Sequence, residues 1–522
     1  MNFIADQVHK DFRSKPPMIR KYMVFMTPRV TKVCMKTLQA RGVLGDISSI
    51  QSLHIGFIPF DSDVLSLETP KIWRETFVRN EISGLWDVAH SIMKLQLFFG
   101  AIPNICGKGE HAKTVVRLLQ RMKAEADPEM LDSTVIEIDE CVILDRTVDM
   151  VTPMLTQMTY EGIIDEIIGI KSNAAEVDAG ITGGAKKTSR TGKTFVKLTS
   201  ADHYYEEIRN FHYRNLGQWI NTKVLEVRKR YNEVKKSSVV QSAHNTTIGQ
   251  MKDVVKKLKT TTAEHNYLQT HSNLAHFLHE KIKKLTFEKK IDQEMTMVGS
   301  SESVEDYVEA SIAKCQSFEE CVRLLVLMCQ TRALYPKRVT FFLNEVVQSF
   351  GYQFLFVLRN LQQLGLLADN NRRCPWPTLK KRLNLWEESV NFKKPTDINY
   401  IFAGYAPLSA RVVQHASNGG WAKIKDVLDI LPGPTLETTQ EVKGASGMTG
   451  RSSPDAKRKP VTLVVYVGGV TYAEISALRK LGEKHNRDYI IATTHFTNGT
   501  KLMQDLREPT MEKAKVSGGA LR

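Results

Sequence analysis

Hydrophobic positions change their rhythm twice along the chain. Near the start, short apolar runs alternate with amphipathic stretches. Lys21–Met26 reads as a buried strand closed by a Thr27-Pro28 turn, Val33–Ala40 as a helix, and Leu53–Pro59 as a second apolar strand. Helical spacing predicts amphipathic helices over 85–100 and 111–124, and the β-branched runs 135–138 and 141–144 read as strands. From Tyr204 to Lys290 the pattern turns helical, and helices continue through 303–315, 318–330, 338–348 and 352–367. Val461–Val467 is the most strand-like run in the chain; a helical stretch to Lys480 and a strand at Tyr489–Ala492 follow it. The order is α/β, then all-helical, then α/β again. Strand runs that flank a helical insert predict one sheet domain assembled from both ends of the chain. Two polar stretches, 172–194 and 437–460, are rich in Gly, Ser, Thr and Lys. They have too little to bury to offset chain entropy, and mobile, dispensable loops are expected there.

Composition narrows the class. A length of 522 residues predicts roughly three domains. The 42% hydrophobic and 25% charged fractions are those of a globular chain with a sizeable core. Lys and Arg outnumber Asp and Glu 72 to 57, a formal charge of +15, which favours anionic partners without choosing among nucleic acid, acidic lipid and acidic protein. Residues 221–290 hold 15 Lys and Arg against 6 Asp and Glu, so this helical stretch carries much of the excess. The seven cysteines are odd in number and show no CxxC spacing, and Cys321 and Cys329 lie in an apolar helical run. Buried free thiols in a reducing compartment follow, rather than a disulfide framework or a zinc site. No window approaches about 18 apolar residues, and the first segment lacks the apolar core of a signal peptide, so a cytoplasmic protein is expected.

Catalytic motifs fail on their own chemistry. Gly192-Lys193-Thr194 ends like a phosphate loop, but position 187 is Lys where the wrapping glycine should stand. Gly107-Lys108-Gly109 lacks the third glycine of a dinucleotide fingerprint, and the sequence shows no strand before it. His265, His271, His276 and His279 share one helical stretch without metal-ligand spacing and read as a solvated face. No nucleophile is paired with a positioned base, so no enzyme, cofactor or metal is expected. A nucleotide hydrolase is a competing class without its glycines. A nucleic-acid binder is a second, but residues 221–290 hold only Tyr231, Tyr267, Phe277 and Phe287 for base stacking.

One segment is far more specific. Residues 142–167 read VILDRTVDMVTPMLTQMTYEGIIDEI. The strand ending in Leu144-Asp145-Arg146, then Asp149, Thr152-Pro153 and the Thr159-Tyr160-Glu161 helix start, resembles the SM (Sec/Munc-like) family. Gly42-Val43-Leu44-Gly45, Ile58-Pro59-Phe60-Asp61, Gly404-Tyr405-Ala406-Pro407-Leu408-Ser409, Leu431-Pro432-Gly433-Pro434 and Gly468–Ile475 narrow the resemblance to the vacuolar branch, whose members serve the HOPS and CORVET tethering complexes. The resemblance spans essentially the whole chain.

It implies α/β domains on a parallel sheet with a large helical insertion, together forming an arch-shaped clamp. The divisions expected are a first domain at 1–60, shortened at its N-terminus, a second at 61–205 and 396–522, and a helical third at 206–395. It implies a non-catalytic protein, peripheral on late endosome, lysosome or vacuole membranes. Its partners would be syntaxin-type and R-type SNAREs and a vacuolar-sorting-sixteen-type scaffold subunit. A SNARE site is expected in 221–290, with Lys252, Lys256 and Lys259 steering acidic partners and Leu258, Tyr267 and Leu274 as apolar anchors. The family's helical hairpin often bends at a proline; the matching stretch here is Leu258-Lys259-Thr260-Thr261, through which a helix can run on. A scaffold surface is expected around Tyr400–Arg411, centred on Tyr405 and Leu408, with a core strand as the competing reading. Asp145, Arg146, Asp149, Pro153, Tyr160 and Glu161 are expected to hold structure rather than touch partners, with the charges pairing and capping the next helix.

Overall fold

The computed structural model describes residues 2–13, 20–27, 29–126, 136–181, 192–241, 248–332, 334–367, 375–440 and 458–507, with backbone alone over 231–241 and 248–263. These residues form two compact units, Met1–Ile58 and Pro59–Arg522.

In the first unit, α1 (Asn2–Phe12), β1 (Tyr22–Met26), α2 (Lys32–Ala40) and β2 (Ile47–Ser52) surround a small core of Ala5, Val8, Met26, Leu38 and Val43. The Thr31 hydroxyl accepts from the Cys34 N–H and starts α2. The strands pair in parallel, Val24 opposite Ile50. Of the strand expected at Leu53–Pro59 only Ile58–Pro59 is strand, and the partner of β1 forms earlier, as the polar run ISSIQS. This strand is half exposed, so its pairing does not require an apolar sequence, and hydrophobicity pointed to the wrong residues.

The second unit is built on a seven-stranded sheet. Its first part holds β3 (Ile58–Pro59), β4 (Val64–Ser66), α3 (Ser83–Phe99), β5 (Asn104–Lys108), α4 (Glu110–Glu125), β6 (Glu140–Asp145), α5 (Val151–Met154) and α6 (Tyr160–Ile167). A three-stranded antiparallel sheet follows: β7 (Ile170–Lys171), β8 (Ala174–Asp178) and β9 (Lys193–Lys197). The helical insert runs through α7 (His203–Ile208), α8 (Tyr213–Gln241), α9 (Ile248–Ile282), α10 (Leu285–Gly299), α11 (Glu305–Ala313), α12 (Phe318–Thr331), α13 (Pro336–Phe350), α14 (Leu355–Gln363) and α15 (Trp376–Arg382). The chain returns through α16 (Leu408–Ser417), α17 (Lys425–Ile430), β10 (Thr435–Thr439), β11 (Val461–Val467), α18 (Tyr472–His485), β12 (Asp488–Thr493) and α19 (Gly499–Asp505).

The large sheet runs β10-β5-β6-β11-β12-β4-β3. Strand β10 is antiparallel to β5, and the pairs from β5 through β4 are parallel. The central pair joins the two ends of the chain, with Val464 opposite Val142 and Val465 opposite Ile143. Both strands are buried on both faces, so they read as continuous apolar runs. The sheet is therefore complete only when the segments before and after the helical insert meet.

Three expectations need correction. Residues 136–139 are irregular, and β6 begins at Glu140; Val135 lies outside the described residues. The stretch 172–194 is not all loop. Strands β8 and β9 occupy its ends, because Ala175, Val177 and Val196 give the small sheet one buried face; residues 182–191 lie outside the described residues. Likewise β10 takes the start of 437–460, and 441–457 lie outside.

Helices α8 and α9 form an antiparallel hairpin. Val227 packs with Leu268, Arg230 pairs with Glu264 at 3.4 Å, and Leu216 and Ile220 share a cleft with Leu278 and Ile282. Helix α9 is 35 residues long, roughly 52 Å. It passes unbroken through Leu258-Lys259-Thr260-Thr261, which contains no breaker. Residues 242–247, which link the two helices in sequence, lie outside the described residues.

Candidate functional site

The signature segment leaves β6 into the middle of the second unit, where burial forces every charge to find a partner. Asp145 does not pair with Arg146. Its carboxylate accepts the N–H groups of His111 (2.9 Å) and Ala112 (2.7 Å) at the start of α4. This close approach explains Gly109, whose φ is +117° and whose added Cβ would lie 2.2 Å from the Asp145 carboxyl. Strand β5 does precede Gly107-Lys108-Gly109 and α4 follows it, contrary to the sequence reading. The segment has a phosphate-binding outline, but a protein carboxylate fills the place of the anion. Burial pushes the Asp145 carboxyl up to about 7 against those two N–H donors.

Arg146 finds its partner 328 residues away. It donates to both oxygens of Glu474, at 2.7 and 2.8 Å, and to the carbonyls of Asp149 and Gly469. Both side chains are sealed from solvent, at 1% and 0% exposure. Glu474 is also one half of a capping box with Thr471 at the start of α18, and it accepts the Ser409 hydroxyl. Burial opposes its charge, but the Arg146 guanidinium holds its carboxyl below the usual range. Asp149 is raised by burial, despite Arg146; it caps α5 through the Thr152 N–H and hydroxyl and accepts the Ser409 N–H. Pro153, in α5, is buried.

Tyr160 and Glu161 start α6 behind the Thr159 cap. The Tyr160 hydroxyl meets His271 Nδ1 at 2.9 Å, and His271 Nε2 meets the Asp202 carboxylate at 2.9 Å. Glu161 accepts the Tyr205 hydroxyl and pairs with Arg479. This network ties the hairpin to the sheet domain. His271 is therefore not on a solvated face; it is 1% exposed, whereas His276 is 74% exposed. Its position was readable, because Leu268, Leu274, Leu278 and Ile282 place it inside the apolar stripe of α9.

The expected scaffold surface is a core. Tyr405 is 0% and Leu408 2% exposed, and Tyr400, Ile401, Phe402, Ala406 and Arg411 are buried with them. The Tyr405 hydroxyl bonds Thr152 Oγ1 at 3.0 Å and accepts the Leu408 N–H at 3.2 Å, which locks this turn onto the signature segment. The run is apolar because it is buried, with Ile398–Ile401 against α18 and Tyr405 against Trp376 and Phe402, and it forms a turn and helix start rather than a strand.

On the hairpin, Leu274 is a core residue at 1% exposure and is unavailable as an anchor, while Tyr267 is 47% exposed. Lys252, Lys256, Leu258 and Lys259 lie on α9, and their side chains fall outside the described residues. Among the described residues, no cluster of His, Cys, Asp and Glu has the arrangement of a metal site, and no helix is long and apolar enough to cross a membrane.

A model of the Sec1 family matches residues 1–505. The chain belongs to the Sec1 family. The Vacuolar protein-sorting-associated protein 33 homolog of Arabidopsis thaliana is 34% identical over 518 residues, 97% of this chain and 84% of the relative. Vacuolar protein sorting-associated protein 33A of Rattus norvegicus is also 34% identical, over 97% and 85% of the two chains. Among solved structures, the SM protein Vps45 in complex with the Qa SNARE Tlg2 superposes with a TM-score of 0.61 at 14% identity, over 96% of this chain and 83% of that one. Unc18 in the Unc18–syntaxin 1 complex of Monosiga brevicollis gives 0.62 at 15%, over 96% and 85%. This Sec1-family chain thus shares the SM fold, and the signature residues that carried the resemblance form its internal scaffold.

Proposed function

We propose that this Sec1-family chain is a non-catalytic SNARE-binding protein of the vacuolar branch, acting in membrane fusion at late endosomes, lysosomes or the vacuole. The reading rests chiefly on 34% identity to vacuolar protein-sorting-associated relatives across 97% of the chain. The placement of these charges in structural roles supports it: Arg146–Glu474 is sealed inside, and the buried Asp145 carboxyl is committed to two backbone N–H groups.

The hairpin α8–α9 is the part suited to partner binding. It offers two long helices with a large excess of Lys and Arg, and a partner helix could lie along them. SNARE segments are disordered when free and bear an ordering cost on binding. A rigid hairpin that holds one helix, then aligns a second, lowers that cost for assembly. On this reading Tyr267 supplies an exposed anchor and Lys252, Lys256 and Lys259 accelerate capture of acidic segments. Membership of a HOPS- or CORVET-type tethering complex through a vacuolar-sorting-sixteen-type subunit is part of the proposal, with its docking surface elsewhere than Tyr405 and Leu408. Affinity purification of the full chain from its native cell, read by mass spectrometry, tests it. Syntaxin-type and R-type SNAREs with the scaffold subunit are the expected co-purifying proteins. Recovery of nucleic-acid-bound complexes, or of neither SNARE nor scaffold, would overturn it.

A further inference from the structure

Where α8, α9 and α6 meet at the base of the hairpin, they enclose a cleft of ≈ 470 Å³. Its volume lies in the range of about 300–1,000 Å³ typical of small-molecule sites, which often form between the helices of a bundle. The floor is apolar: Ile163, Leu216, Ile220, Leu278 and Ile282 are buried there. The rim is polar and carries Arg214, Ser272, His276 and His279. Among the described residues, no Asp or Glu lines it. Arg214 is exposed in the first turn of α8, lies over the rings of Tyr213 and Phe392, and has no carboxylate partner among the described residues.

A second observation concerns Gly217, which also lines the cleft. A glycine inside a helix weakens it, so its presence asks for a reason. Backbone strain is not the reason, since Gly217 is not among the residues with positive φ. Close packing is not the reason either, since a Cβ placed there meets no atom within 4 Å. What the missing side chain does is leave the cleft open.

We propose that this cleft binds a single-chain anionic amphiphile, a fatty carboxylate or similar lipid-like anion, with its chain on the apolar floor and its head group at Arg214. An apolar floor under a rim with no acidic residue selects an apolar body with a negative end. A half-open cleft of ≈ 470 Å³ suits a flexible chain better than a rigid partner helix, which needs a long open groove. This inference stands apart from SNARE binding and does not depend on it.

The test is calorimetric titration of the full chain with laurate below its micelle concentration, beside octanoate and dodecyltrimethylammonium. Laurate should bind one per chain. Each methylene removed should weaken binding about fourfold, and the cationic amphiphile of equal length should bind at least tenfold more weakly. Gly217→Leu fills the cleft from an exposed helix position that has room for the side chain. It should keep the melting temperature and lose laurate binding at least tenfold. Arg214→Gln should narrow the gap between laurate and the cation while the octanoate-to-laurate ratio holds. Equal binding of laurate to wild type and G217L, equal binding of the two head groups, or no laurate binding would each overturn the proposal. So would an acidic amphipathic peptide whose binding is lost in G217L while laurate does not bind; the cleft would then belong to a helical partner.

Discussion

The Arg146–Glu474 pair offers the sharpest test of how the signature segment works. Both groups are sealed, joined by two bonds of 2.7 and 2.8 Å, and drawn from segments on either side of the helical insert. Glu474→Gln keeps the side-chain volume and an oxygen that can serve the α18 cap, but it removes the carboxylate charge bonded to the buried Arg146. Breaking a buried pair from one side costs about 3–5 kcal/mol. For a unit of this size that corresponds to a fall in Tm of roughly 3–5 °C, because the unfolding entropy scales with chain length. Arg146→Met leaves the opposite charge stranded and should cost a similar amount. The double variant R146M/E474Q removes both charges and should cost at least about 2 kcal/mol less than the sum of the singles. Urea unfolding followed by circular dichroism and by intrinsic fluorescence gives the values, with both probes required to agree before a single free energy is assigned. If either single change costs less than about 1 kcal/mol, or the double is additive, the pair does not hold the sheet's two halves together as described.

Other consequences follow from the same geometry. The folded Asp145 carboxyl holds its proton up to about pH 7 while the unfolded one releases it near 3.8, so the folded chain binds more protons in between and stability falls as pH rises across that window. Asp145→Asn should flatten that slope in urea midpoints measured between pH 5 and 7.5; an unchanged slope would refute the assignment. Tyr405→Asp with Leu408→Lys should abolish soluble expression, since both positions are core, and a variant with native melting would show instead that the turn is a surface. Among the described cysteines, Cys315 is exposed, whereas Cys106, Cys141 and Cys321 are buried, and burial raises the Cys106 and Cys321 thiols to about 12. A chromogenic disulfide reagent should therefore label Cys315 quickly and those three only on unfolding. Rapid labelling of any of the three in the native chain would contradict their burial.

What could be read from the sequence was set by how local its physical cause is. Val461–Val467 and Cys141–Leu144 were legible because strands buried on both faces need apolar residues throughout. That they pair across the helical insert followed from their positions, since one sheet must bury both. The polar strand Ile47–Ser52 was not legible, because half-exposed pairing leaves composition free. Strands β8 and β9 were hidden for the same reason, with only alternate residues inward. The structural role of Arg146 was anticipated, but its partner Glu474 was not, since no local pattern encodes a contact 328 residues away. The apolar run at Tyr405 is compatible with a core or an interface, and only its packing against Thr152 decides between them. His271 lies in the apolar stripe of α9, three residues from Leu268 and Leu274, and that spacing alone separates it from the exposed His276.

In the proposed function the hairpin α8–α9 captures SNARE helices. Stopped-flow association of the full chain with a labelled vacuolar SNARE motif, at two ionic strengths, tests it most directly. The variant carries Lys252→Glu, Lys256→Glu and Lys259→Glu. Salt should slow association far more than it speeds dissociation, and the variant should lose at least tenfold in on-rate while its melting temperature holds. A variant that associates at the wild-type rate, with no effect of salt on either chain, would contradict it and remove the hairpin as the capture surface.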